Sequence, residues 1–164
     1  MILLSIMNTL IIFSAKYLYL FVIAIAVVLF WRLKEYRKEM VLFAIISFPL
    51  MYLVRLFAGS LYFNPRPFVV EHFIPLISHS ADNGFPSDHT LLVSAFAMLF
   101  FYYRRRVSFV MWILAFAVGA ARVAAGVHHS LDIVGSVLIA ICVAWFTHAY
   151  LLPLAKRTKA YQSR

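Results

Sequence analysis

Apolar residues form five long blocks in this chain, and polar residues collect in the stretches between them. The blocks cover approximately residues 17–33, 40–58, 88–104, 107–123 and 133–152. Each is close to the roughly 17 to 25 apolar residues that a helix needs to cross the hydrocarbon core of a membrane. The pattern therefore predicts an all-α integral membrane protein, a helical bundle with about five transmembrane helices.

The first fifteen residues, MILLSIMNTLIIFSA, permit more than one interpretation. Lys16 separates them from the first block and leaves no room for a loop. They fit an N-terminal interfacial helix or an extension of the first span. A sixth span is the alternative, and it would need a tight hairpin around Lys16. A cleaved signal peptide fits less well, because the stretch lacks a basic beginning.

Composition supports a membrane protein with a single domain. The chain has 164 residues, of which 65% are hydrophobic and 13% are charged, and its mean hydropathy is +0.91. These values exclude an ordinary soluble domain. Because the chain is too short for two sizeable membrane domains, we expect one membrane-embedded domain over residues 1–164.

The charged residues predict how the helices are oriented. The formal net charge is +9, from fifteen Lys and Arg against six acids, and most basic residues lie beside apolar blocks. There they orient membrane helices, so we expect no nucleic-acid partner. With five spans, the basic stretches RLKEYRKE, RRR and KRTKAYQSR fall on one side, which the positive-inside rule makes cytoplasmic. The loops at 64–88 and 122–132 then face outward.

Most residues capable of chemistry lie on that outer side. They include two arginines, four of the six acids and five of the six histidines: Arg66, Arg122, Glu71, Asp82, Asp88, Asp132, His72, His79, His89, His128 and His129. Taken singly, Arg and His at helix ends are more often interfacial than catalytic. Their joint placement beside a lipid surface favours an enzyme that acts on a polar lipid headgroup.

The types of these residues point to phosphate. Arg66 and Arg122 offer planar, permanently charged donors that can bind phosphate oxygens bidentately. Ser87 directly precedes the third apolar block and is a candidate N-cap, so the free N–H groups of that first helical turn would face an anion. His89, within the same turn, can transfer a proton.

A second group of residues suggests covalent catalysis. His128 and Asp132 are four residues apart, so on one helix they share a face, where the carboxylate can fix the tautomer of the imidazole. Arg122 could bind the oxygens of the phosphorus under attack. The pattern indicates a histidine nucleophile with a second histidine as acid.

These motifs carry a family resemblance. RP at 66–67, PSDH at 86–89, and Arg122 followed by His128 and Asp132 resemble the three signature motifs of the type 2 phosphatidic acid phosphatase superfamily. The stretch YFNPRPFV…HSADNGFPSDHT further resembles its undecaprenyl-diphosphatase branch, which is associated with bacitracin resistance. The resemblance extends from about residue 50 to 140.

The resemblance implies metal-independent hydrolysis of undecaprenyl diphosphate, without a cofactor, through a phosphohistidine. It implies a bacterial cytoplasmic membrane enzyme with an outward-facing site that recycles the lipid carrier of cell-wall peptidoglycan. By the same resemblance, His128 is the nucleophile, Asp132 orients it and His89 protonates the leaving group. The residues expected to hold phosphate oxygens are Arg66, Ser87 and Arg122.

The chain departs from the family pattern at three positions. The family lysine seven residues before Arg66 is replaced by Gly59, and the serine before Arg122 is Ala121. Arg55, one turn before Gly59, could replace the lysine or could snorkel, since side chains lean towards the N-terminus of a helix. The glycine of the second motif is Asp88, which would repel a diphosphate unless it faces an arginine, a metal or solvent.

Several roles and alternatives remain open at this stage. Either His128 or His129 could attack, and the spacing from Arg122 and Asp132 favours His128. His79 and Asp82 could contact the distal phosphate or organise the loop. The alternatives to an undecaprenyl-diphosphatase are a phosphatidate, phosphatidylglycerophosphate or lipid A phosphatase, a non-catalytic lipid transporter, and a metal-dependent hydrolase. The spacing of the His and Asp residues matches no strong metal motif, and the sequence does not indicate an oligomeric state.

Overall fold

The computed structural model describes residues 1–157, and within that range every regular element is helical. The elements are α1 (Ile2–Arg32), a 3₁₀ turn (Lys34–Tyr36), α2 (Arg37–Leu61), α3 (Pro67–Val70), α4 (Asp88–Tyr103), α5 (Arg105–Ala124), α6 (Ser130–Phe146), a π-helical turn (Thr147–Leu151) and α7 (Leu152–Arg157). Five of these helices correspond to the five apolar blocks, so the prediction of an all-α membrane bundle is confirmed. Four segments are long and apolar enough to cross a membrane: Ile2–Arg32, Lys34–Leu61, Arg105–Ala124 and Ser130–Arg157.

The first fifteen residues extend α1 without a break. This helix has 31 residues, about 46 Å of length, and its sequence has no Gly or Pro that would end it at Lys16. The interpretation of these residues as an extension of the first span is therefore correct. They form neither a separate interfacial helix nor the hairpin that a sixth span requires.

Helix α4 lies at the centre of the bundle and contacts α1, α2, α5 and α6. It has only 16 residues, and most of its side chains are buried, including Val93 and Phe100. Phe43 of α2 and Met111 of α5 belong to the same fully buried core. Because the surrounding helices are longer, they shield this short apolar helix from lipid on most sides.

The basic stretches meet at one end of the bundle. Arg104 lies 4.0 Å from Glu35 and packs over the ring of Tyr36, and Lys156 forms a 2.6 Å ion pair with Glu39. This places the described parts of all three predicted cytoplasmic stretches on one side, while residues 158–164 of the basic tail lie outside the described residues. The two long polar loops pack against each other at the opposite end, where the N–H of Leu76 donates to the carbonyl of Ala125.

Candidate active site

His128 is the centre of a buried cluster in the loop between α5 and α6. Gly126, at a φ of 77°, allows the chain to turn directly after α5, and His128 is only 3% exposed. Its Nδ1 lies 3.2 Å from Oδ2 of Asp132, while its Nε2 lies 3.2 Å from Nη1 of Arg66 and 3.4 Å from Nη2 of Arg122. A guanidinium can only donate, so Nε2 accepts and the imidazole proton is on Nδ1. The Nε2 lone pair therefore faces the two arginines.

Asp132 is fully buried and its two carboxylate oxygens hold three donors. Oδ2 accepts from Nδ1 of His128 and, at 2.9 Å, from the backbone N–H of His129. Oδ1 accepts from the side-chain amide of Asn64 at 2.7 Å. Gly84 lies so close that a Cβ there would be 3.0 Å from Oδ2. These contacts fix the carboxylate and, through it, the imidazole.

The two arginines are almost completely buried, with exposures of 5% for Arg66 and 3% for Arg122. Arg66 donates from Nη1 to the carbonyl of Val127 at 2.7 Å and from Nε to Asp82 at 2.8 Å. Arg122 donates from Nη1 to the carbonyl of Ala15 at 3.4 Å, and its buried Nε has no hydrogen-bond partner among the described residues. Two buried guanidiniums with spare donors form a site that favours an anion.

The environment of His128 keeps its imidazole neutral. Burial lowers the pKa of His128, the hydrogen bond with Asp132 opposes that shift, and the positive charges of Arg122 and Arg66 lower the pKa further. The net direction is downward, so the neutral, nucleophilic form predominates at neutral pH.

Ser87 directly precedes α4, as predicted for an N-cap, but its hydroxyl does not cap the helix. Instead, its Oγ accepts from the hydroxyl of Thr90 at 3.1 Å, and its carbonyl accepts from the hydroxyl of Ser136 at 2.9 Å. All three residues are buried. No side-chain cap therefore accepts from the N–H groups in the first turn of α4. The hydroxyl hydrogen of Ser87 is not used in such a cap either.

His89, the second residue of α4, is half-buried and packs edge-on against Tyr19 of α1, with ring centroids 4.5 Å apart. Two residues before it, the N–H of Ser87 donates to the carbonyl of Asp132 at 3.4 Å, so the start of α4 lies beside the same cluster. The sequence did not identify Tyr19 or Asn64. Tyr19 lies inside an apolar span, and Asn64 could be found only through its place two residues before Arg66.

Arg55 reaches the outer end of α2 and binds Asp88. Its Nε and Nη2 donate to the two carboxylate oxygens at 2.6 Å and 2.8 Å. The ion pair explains how the chain accommodates an acid beside His89, because Asp88 faces an arginine. A side chain at Gly59 would instead meet the carbonyl oxygen of Phe85 at 3.2 Å. Arg55 therefore neither points towards the basic end nor occupies the lysine position directly.

The remaining candidates surround the cluster. His129 is the N-cap residue of α6, and its side chain does not cap the helix: its Nε2 donates to the carbonyl of Pro65 at 3.1 Å, away from the two arginines. The ring of His79 lies 6.2 Å from that of His128, and burial, followed by the charges of Arg66 and Arg122, lowers its pKa.

Asp82 holds Arg66 from the solvent side. Its side chain is 60% exposed, and it accepts the 2.8 Å hydrogen bond from Nε of Arg66. Burial opposes ionisation of Asp82, but hydrogen bonds from Arg66 and Ser80 outweigh it, so the pKa of Asp82 is lowered. Among residues 1–157, no group of three or more His, Cys, Asp or Glu side chains is arranged to hold a metal ion.

Comparison with known proteins identifies the family of this chain. The model of the PAP2 superfamily matches residues 41–155, which include every residue of the cluster except those of α1. The chain belongs to the PAP2 superfamily. It is therefore a member of a family of membrane lipid phosphatases, and the predicted undecaprenyl-diphosphatase branch is supported by its relatives.

Two relatives and one solved structure define that likeness. The chain is 34% identical to the bacitracin transport permease protein BcrC of Bacillus licheniformis over 144 residues, 87% of this chain and 70% of the relative. It is 36% identical to the undecaprenyl-diphosphatase BcrC of Bacillus subtilis (strain 168) over 84 residues, 51% of this chain and 44% of the relative. The crystal structure of Aquifex aeolicus LpxE superposes with a TM-score of 0.67 at 25% identity, covering 90% of this chain and 87% of that one.

Proposed function

We propose that this protein hydrolyses undecaprenyl diphosphate to undecaprenyl phosphate and inorganic phosphate through a phosphohistidine on His128. One observation carries the proposal: Nε2 of His128 faces two buried guanidiniums, while Nδ1 is bound to the buried carboxylate of Asp132. A neutral imidazole with its lone pair directed into an anion site has the geometry of a nucleophile towards phosphorus.

In the first step, the Nε2 lone pair of His128 forms a bond to the distal phosphorus, and the bond from that phosphorus to the bridging oxygen breaks. His89 gives its proton to the bridging oxygen, so undecaprenyl phosphate leaves. Arg66, Arg122 and the hydroxyl of Ser87 hold the phosphoryl oxygens as charge develops on them. Asp132 stabilises the positive charge that forms on the imidazole.

In the second step, water attacks the phosphorus of the phosphohistidine. His89, now neutral, takes a proton from that water, and the N–P bond breaks with its electron pair returning to Nε2. Inorganic phosphate leaves, and His89 is again protonated for the next cycle. No metal ion or cofactor takes part in this scheme.

The choice of lipid rests on the relatives. One is named an undecaprenyl-diphosphatase, and the motif region of this chain resembles that branch. We place the single domain, residues 1–164, in the bacterial cytoplasmic membrane with the site facing outward, because the basic stretches meet at the opposite end of the bundle. Phosphatidate, phosphatidylglycerophosphate and lipid A phosphatases would share the chemistry and differ in the lipid.

Phosphate release from undecaprenyl diphosphate by the purified protein in detergent, with a chelator present, tests the proposal. His128→Ala should abolish release. The matched variant His129→Ala should retain it, because that imidazole is bound to a carbonyl outside the phosphate site. Release that the chelator stops would contradict the metal-free scheme, and equal activity of the two variants would contradict the nucleophile.

A second candidate function is transport, because the Bacillus licheniformis relative is named a transport permease. Bacitracin protection by cells that express His128→Ala separates the two functions. A transporter would still protect those cells, whereas a phosphatase would not.

The orientation of the protein in the membrane is tested with Ser80→Cys, which lies on the exposed outer loop, in a Cys142→Ala background that removes the other thiol. Labelling of Ser80→Cys from the cytoplasm alone would mean that the topology is inverted.

A further inference from the structure

An apolar groove begins beside the candidate active site and runs down between α2 and α4. Its outer part is a cavity of about 200 Å³, lined by Phe48, Met51 and Tyr52 of α2 and by Leu91 and Leu92 of α4. Asp88 lines the same cavity at its outer end. Apart from this carboxylate and the hydroxyl of Tyr52, the side chains that line the cavity are apolar.

The groove continues beyond this cavity. A second cavity of about 160 Å³ is lined by α1, α2 and α4 and reaches Met40. Phe48 lines both cavities, and its ring packs edge-on against that of Phe96 at 5.3 Å, which separates them. From Tyr52 to Met40, α2 rises by about 18 Å, more than half of the roughly 30 Å of a hydrocarbon core.

A proline lies inside α2 at the level of the groove. Pro49 directly follows Phe48, which lines both cavities, and it has no N–H to donate to the carbonyl of Ile45. Because proline in a helix interior favours a bend, the sequence of α2 favours a groove at this level.

The two ends of the groove differ in chemistry. The outer end holds the ion pair of Arg55 and Asp88, one residue from His89, whereas the rest is apolar. A molecule with an anionic head and a long hydrocarbon chain matches this arrangement. With its phosphates at His128, the first part of its chain would pass Asp88 and enter the groove.

We propose that the groove between α2 and α4 binds the isoprenoid units next to the diphosphate, with Phe48 and Phe96 marking the depth to which the first units extend. This inference rests on the proposed function and adds a site for the chain. The rest of a long polyprenyl chain lies in the bilayer. Recognition is therefore sensitive to chain length for short chains and insensitive once the groove is filled.

The test compares phosphate release from farnesyl diphosphate and from dimethylallyl diphosphate. Leu92→Trp places a large ring in the outer cavity, and it should lower kcat/KM for farnesyl diphosphate by roughly tenfold while changing the value for dimethylallyl diphosphate little. Leu138→Trp is the matched control, because Leu138 is exposed on α6 and lines neither cavity. It should leave both values, and their ratio, unchanged.

The outcomes separate the groove from the chemistry. Leu92→Trp could show normal rates and an unchanged ratio of kcat/KM between the two substrates. The isoprenoid chain would then lie elsewhere, for instance because a bulk phospholipid fills the groove, and this inference alone would be overturned. No release from undecaprenyl diphosphate by the unmodified protein overturns the proposed function and this inference with it. Release from undecaprenyl diphosphate without release from farnesyl diphosphate overturns this inference alone.

A second variant decides the matter if Leu92→Trp also loses activity on dimethylallyl diphosphate. Phe48→Ala removes the ring that separates the two cavities. It should shift the preference from farnesyl towards geranylgeranyl diphosphate by about threefold or more. An unchanged preference would overturn the inference.

Discussion

The hydrogen bonds of Asp132 make its replacement by asparagine a sharp test of how His128 is activated. In Asp132→Asn, one oxygen becomes an NH₂ group. If that group faces Asn64 in its native orientation, two amide donors oppose each other; if it faces His128, it forces the imidazole proton onto Nε2. A buried donor without an acceptor costs about 1–3 kcal/mol, and the second arrangement removes the lone pair that attacks.

We expect kcat to fall by about 10³-fold, equivalent to about 4 kcal/mol, as for other triads in which the imidazole adopts the wrong tautomer. The reciprocal variant Asn64→Asp/Asp132→Asn restores an acceptor for each donor, because the new amide can donate to residue 64 and accept from His128. It should recover at least about tenfold of the lost kcat.

The assay is initial phosphate release at saturating undecaprenyl diphosphate, with the thermal midpoint of each variant measured in the same detergent. Asn64→Asp alone is the control, since it places two carboxylates together and should be impaired. The reasoning would be refuted if Asp132→Asn kept more than about a tenth of the native kcat. It would also be refuted if the defects of the two single variants simply added in the double variant.

Three further predictions concern the surroundings of His128. Arg55→Ala should raise KM by about tenfold, because it leaves the negative charge of Asp88 unpaired beside the phosphate site. Arg55→Ala/Asp88→Asn should restore the native KM. Equal KM values for the two variants would contradict the role of the ion pair. Burial and the neighbouring arginines lower the pKa of His128, and its neutral form attacks, so kcat/KM should decline only below about pH 6.5. Arg66→Gln removes one of these positive charges and should move the decline to higher pH. A decline of the native protein centred above pH 6.5 would contradict this reasoning. Tyr19→Leu should lower kcat by about two- to tenfold, because it removes the ring that packs against His89, whereas Tyr19→Phe keeps the ring and should not. Equal rates for both variants would exclude positioning of His89 by the ring.

The helices were predictable because each apolar block is long and because polar stretches separate the blocks; four of the resulting segments are long enough to cross a membrane. The sequence allowed more than one interpretation at Lys16, where one charge interrupts an apolar run without a Gly or Pro. A single lysine does not break a helix, since its long stem can extend along an apolar surface. The intact α1 therefore depends on local propensity, which hydropathy alone does not measure.

The site was predictable where it depends on short spacing along the chain and not where it depends on packing between distant segments. Asp132 lies four residues after His128, and the structure pairs them, although His128 lies in the loop before α6 and not on the same helix as predicted. Tyr19 and Asn64 reach the cluster only through the packing of α1 and of the loop after α2. Arg55 shows a related limit: the general lean of helical side chains predicted the wrong direction, because a long flexible side chain follows its ion-pair partner.

The shortness of α4 sets the depth at which phosphate is handled. A helix of 16 residues is about 24 Å long, and a hydrocarbon core is about 30 Å thick. If its Tyr103 end lies at one membrane surface, the end that bears Ser87 and His89 stops several ångströms below the other surface. Under the proposed function, the diphosphate would then descend beneath the level of the neighbouring headgroups, where the effective dielectric constant is lower and each arginine attracts it more strongly. Turnover should consequently depend on bilayer thickness, because a thicker membrane increases the distance over which the charged head must leave water.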